Sequence, residues 1–97
     1  MKILFDEREY ELDLDEMTVA QARTIMVAFG FTIKTLQDGI AEGNPDAIAA
    51  MFWLMLAQSG EKADPKTVDF KIVPFMAAIE AAWITEHPED ADPKSGK

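Results

Sequence analysis

Cysteine is absent from this chain and histidine occurs once, among 97 residues. Without cysteine there can be no disulfide, no thiolate metal site and no thiol nucleophile, an absence that suits a reducing compartment. The lone His87 adjoins Pro88 and has no partners at metal-ligand spacing. A Gly-rich phosphate loop, GxSxG and HExxH are all missing. Positive charge is scarce, with 9 basic against 18 acidic residues and a net charge of −9. No basic stripe is present to neutralise phosphates, which argues against nucleic acid and anionic membranes as partners. No apolar run is long enough to cross a bilayer. The longest candidate helix, residues 45–59, would reach about 22 Å, whereas a bilayer core needs about 30 Å. At the N-terminus only Ile3, Leu4 and Phe5 precede the acids, too little for the core of a secretory leader. These absences predict neither enzyme, metal centre nor cofactor, and no membrane span.

What is present fits one small domain with a single core. The acids gather at the two ends, in the segment up to Glu16 and at Glu86, Glu89, Asp90 and Asp92. We read them as a solvated surface that keeps the protein soluble. Around the middle, the stretch NPDAIAAMFWLMLAQSG, Asn44 to Gly60, organises the rest. Asn44 is an N-cap, Pro45 suits the first helical position, Asp46 complements the dipole and Gly60 stops the helix. Ala47 to Ala57 is uninterruptedly apolar. A helix apolar on every side must be covered on every side.

The covering elements follow from local signals. Tyr10, Leu12 and Leu14 alternate with acids, the period of a strand with one wet face. Residues 2–14 therefore predict a β-hairpin, with the turn at Glu7–Arg8, Phe5 facing Tyr10 and Ile3 facing Leu12. Thr18 and Gln21 form a capping box for a helix over 19–29 that stops at Gly30, with Val19, Ala22, Ile25, Met26 and Phe29 as its inward stripe. Thr32 caps a second helix over 33–42, presenting Ile33, Leu36 and Ile40, in which Gly39 should cost about 1 kcal/mol relative to Ala. Asp64–Pro65 marks a turn, and residues 67–73 suit either an extended arm or a helical first turn. Pro74 opens the last helix, 74–85, with Phe75, Ile79 and Trp83 on one face and Met76 flanking. Residues 87–97, polar and bearing two prolines, predict a flexible tail. The fold class is α+β: an N-terminal hairpin, then about four helices packed round the third.

Two constellations deserve weighing as sites. Asp13-x-Asp15 has the spacing of a calcium loop but lacks its glycine and further oxygens, so wet-face acids on a strand explain it. The methionines and tryptophans are richer. Met51, Phe52, Trp53 and Met55 cannot share one side of a helix, and a small domain struggles to cover them all. Core packing is one account. The other is an apolar groove walled by Trp53, Met55, Phe75, Met76 or Trp83, able to accept a partner helix.

The order of features, FDEREYELDLDEMT leading into a Thr-capped helix, a second helix ending at Glu42-Gly43, the Trp-bearing NPDAIAAMFWLMLAQSG and the arm Val68-Asp69-Phe70, resembles the tail assembly chaperones of long-tailed, lambda-like bacteriophages. The likeness runs from about Lys2 to Ala82, departing at Glu7, where the family pattern leads us to expect glycine. It implies a non-enzymatic protein of the host cytoplasm, absent from the mature virion, that coats the tape-measure protein, keeps its apolar helices soluble and helps recruit the major tail protein. Self-association into a homo-oligomer is compatible with it. Rival expectations are a structural tail or connector component and an acidic DNA mimic.

Overall fold

A computed structural model describes residues 1–86; the tail expected over 87–97, with His87, lies outside them. The elements follow in the order β1 (Lys2–Phe5), β2 (Arg8–Glu11), a single 3-10 turn (Leu14–Glu16), α1 (Val19–Phe29), α2 (Ile33–Glu42), α3 (Pro45–Gln58) and α4 (Ile72–Glu86). The architecture is α+β, an antiparallel hairpin followed by four helices. Each helix boundary has a chemical cause. Thr18 and Gln21 close a reciprocal capping box on α1, and Thr32 and Thr35 close one on α2, each satisfying otherwise orphaned N–H groups. Gly30 and Gly43 end those helices in the left-handed region, with φ of 82° and 77°, where a Cβ would be strained. The Asn44 side chain accepts from the Asp46 N–H at 2.9 Å and Pro45 opens α3.

Nine residues of α3 are buried, from Ala47 through Leu56, so it is the central helix. The hairpin, α1 and α2 pack on it directly, and α4 packs against β1. Ile3, Tyr10 and Leu12 from the hairpin segment, Ile25 from α1, Leu36 from α2 and Phe75 from α4 complete the core. Gly39 is what brings α2 close. A Cβ there would lie 2.8 Å from the Ala47 Cβ and 3.2 Å from the Phe31 ring, so its helix-weakening entropy is offset by an approach that no other residue permits.

The hairpin is real but its register differs from the expected one. Ile3 pairs with Tyr10, Leu4 with Glu9 and Phe5 with Arg8, because the turn is Asp6–Glu7, both with positive φ (54° and 65°). Two consecutive left-handed residues make the tight turn that matches strand twist; it lies one residue earlier than expected, which slides the pairing by two positions. A two-residue slide leaves every side chain on its own face. Ile3 and Tyr10 therefore still point inward, and Leu4 remains 71% exposed. The strand also ends at Glu11, not Leu14; Leu12 donates its N–H to the Met1 carbonyl at 2.9 Å and is buried. Beyond it the edge of β2 is held by side chains from the end of α3. Ser59 Oγ accepts from the Glu11 N–H, and the Gln58 amide both accepts from the Asp13 N–H (2.7 Å) and donates to its carbonyl (2.9 Å).

Other expectations shift at the surface. On α1 the inward line is Ile25 with Phe29, while Val19 and Met26 are exposed; on α2 Leu36 is buried and Ile33 exposed. These helices touch α3 along a narrow ridge, so the edges of each apolar stripe remain outside. The last helix begins at Ile72 and not at Pro74, with Phe75 N–H donating to the Lys71 carbonyl. Pro74 is tolerated there because the first-turn N–H groups have no intrahelical acceptor.

Two substitutions test this account. Glu7→Gly removes a side chain from a left-handed position and is expected to stabilise the protein by about 1 kcal/mol, a rise of roughly 4 °C or more in the thermal midpoint. Gly39→Ala, favourable by helix propensity alone, is expected instead to destabilise by about 1–3 kcal/mol through overpacking against Ala47. Thermal or urea unfolding followed by circular dichroism reads both; a more stable Gly39→Ala protein would refute the close-approach explanation.

Candidate functional site

The five groove residues picked from the sequence do not form one wall. Met55 and Phe75 are completely buried and Trp53 is 8% exposed. Trp53 is also pinned, its Nε1–H donating to the Ala63 carbonyl at 3.0 Å, which ties the loop after α3 back onto the helix. Phe75 sits in a four-ring cluster. It meets Phe5, Phe52 and Phe70 edge-on at 5.6, 5.2 and 5.1 Å between centroids, and Phe52 stacks on Phe70 at 4.1 Å. Such contacts are each worth about 0.5–1.5 kcal/mol beyond burial. They also settle the conformation of residues 68–71, a non-helical arm held down by Phe70. These three residues are core, not groove.

Met76 and Trp83 remain, and the structure does bring them together. They line a shallow open recess on the outer side of α4 with Ile72, Val73, Ala77, Ile79 and Glu80. Val73 is 78% exposed, and Ile72, Trp83 and Ile84 are each more than 40% exposed. The inner face of α4 runs through Phe75, Ala78 and Ala82, with Ile79 half-buried against the core as the spacing suggested and Trp83, expected on the same face, 48% exposed instead. The alanines let the helix axis settle close to β1, and Trp83 is left outside. From Ile72 through Thr85 the only ionisable residue is Glu80. A surface helix normally carries a charged outer face; this one carries a single acid there, Glu80. Ile72, Val73 and Ala77 went unnoticed in the sequence, where the near-absence of charge in this helix was the available signal.

A second, smaller apolar patch joins Val19 and Met26 of α1 to Ile33 of α2. Among the described residues no group of three or more His, Asp or Glu side chains could hold a metal ion. The Asp13 carboxylate instead accepts from the Asp15 N–H at 3.0 Å, capping the 3-10 turn. No helix of the described residues is long and apolar enough to cross a membrane. No buried side-chain polar atom among the described residues lacks a hydrogen-bond partner. Comparisons with protein-family models, with curated proteins and with solved structures found no match.

The contrast between the two tryptophans is directly measurable. In single-tryptophan variants, the protein retaining Trp83 (Trp53→Phe) is expected to be quenched by acrylamide several-fold more efficiently than the one retaining Trp53 (Trp83→Phe). Equal, weak quenching of both would mean that the outer face of α4 is covered in solution.

Proposed function

We propose that this protein is a tail assembly chaperone of a long-tailed bacteriophage, which holds an apolar helical segment of the tape-measure protein against the outer side of α4. The observation that carries the reading is the largely apolar outer surface of α4, where Glu80 is the one charged residue lining the recess, on a protein of net charge −9. Apolar side chains exposed together on a helix mark a contact surface, and the ridge of Val73, Ala77 and Met76 has the spacing that a second helix packs into. The small Ala77 in the middle permits close approach. Acids crowded on the hairpin and the 3-10 turn keep the loaded complex soluble. The order of sequence features adds the tape-measure protein as the partner, with the major tail protein as a second contact. The reading is of a binding protein without chemistry of its own, acting in the host cytoplasm before the tail is complete.

Co-expression with the neighbouring tail genes tests it. The tagged protein is expected to retain the tape-measure protein in solution and to be missing from purified virions by mass spectrometry. Val73→Glu places a charge that the complex would have to desolvate; capture should fall by at least about ten-fold, while the thermal midpoint stays close to wild type because Val73 is exposed. Finding the protein stoichiometrically in virions would make it a structural tail component, and salt-released capture of a basic DNA-binding protein would make it a DNA mimic.

A further inference from the structure

On the other side of α4, between its first turn and the tip of the hairpin, lies a second recess of about 730 Å³. We propose that it receives the side chain of an arginine carried by a peptide segment of a partner. The recess meets the outer face of α4 only at Ala77, and its chemistry does not require the partner to be a tail protein.

The lining has two parts. Phe5, Tyr10, Phe52 and Phe70 supply aromatic surface, and Asp6 from the hairpin turn and Asp69 from the arm border it. Neither Asp6 nor Asp69 has an ion-pair partner among the described residues. Lys71 also borders the recess, so its formal balance is two carboxylates against one ammonium. An apolar side chain would satisfy the rings and leave the carboxylates idle; a bare small cation would do the reverse. Arginine satisfies both. Its aliphatic stem packs on rings, its guanidinium stacks on their faces, and its N–H fork pairs with a carboxylate. The molecule already contains one instance of this chemistry beside the recess, since the Arg8 guanidinium carbon lies 5.2 Å from the Tyr10 ring centroid while Arg8 pairs with Glu61. That distance is within the range for attraction between a cation and an aromatic face. Lysine fits less well, because its ammonium is strongly hydrated and does not stack.

The test is a titration of the full chain, followed by amide NMR, with N-acetyl-arginine methylamide and its uncharged counterpart N-acetyl-norleucine methylamide. Expected are shifts of the Asp6, Phe70 and Lys71 amides, with the arginine probe binding in the millimolar range typical of single side chains and at least about five-fold more tightly than norleucine. The double variant Asp6→Asn, Asp69→Asn should erase that preference. Both positions are exposed, and asparagine tolerates the left-handed backbone of residue 6, so the spectrum of the free protein reports directly that the fold is retained. Equal affinity for the two probes, shifts confined to other residues, or a preference that survives the double variant would each overturn the proposal.

Discussion

Everything in this fold answers to one constraint: α3 has almost nothing to show to water. Nine of its residues are buried, and burying large apolar side chains of this kind contributes about 1.5–3 kcal/mol each. That gain exists only if neighbours cover every side at once. The hairpin, α1, α2, the arm bearing Phe70 and α4 behind the ring cluster are the covers, and each is fitted to its place by a local device. Gly39 allows α2 its close approach, Phe70 weights the arm, and the tight Asp6–Glu7 turn folds the hairpin back.

Coverage of the centre leaves the periphery short. A chain of this size cannot enclose a central helix and also give each outer helix a second neighbour. The deficit falls on α4. Its contacts are with β1 and the ring cluster, through Phe75, Ala78 and Ala82, and its opposite side carries Val73, Ile72 and Ile84 outward. The same arithmetic leaves Val19, Met26 and Ile33 exposed on α1 and α2, but there lysine, arginine and aspartate share the surface. On α4, between Ile72 and Thr85, only Glu80 does so, which sets its surface apart.

The sequence was most readable where structure is local. Helix limits for α1 and α2 follow from Thr18, Gly30, Thr32 and Gly43, whose effects act over three or four residues, and the centrality of α3 follows from its composition. The hairpin register was not readable, because it hinges on Asp6 and Glu7 both accepting a left-handed backbone that neither favours. The orientation of α4 was hidden for a different reason. A helix that is apolar all round carries no periodic signal of which side faces in, and Ala78 and Ala82 turned out to pack inward with Phe75 and the half-buried Ile79, while Trp83 did not. That is why the half-buried Met76 and the exposed Trp83 border the candidate surface while Trp53, Met55 and Phe75 do not. The clasp of Gln58 on Asp13 joins residues 45 apart, beyond any motif.

That clasp has a consequence for the order of folding. A two-stranded ribbon is marginal by itself, and the partners that occupy the outer edge of this one at Glu11 and Asp13 come 48 and 45 residues later in the chain. Made before α3, the hairpin has to wait for that helix before its edge is sealed. Closing so long a loop carries an entropic cost that a local turn does not, so the hairpin edge is secured later than the helices whose caps are local. Until then its open strand edge is a template for pairing with other chains, shielded by little except the repulsion of its own acids.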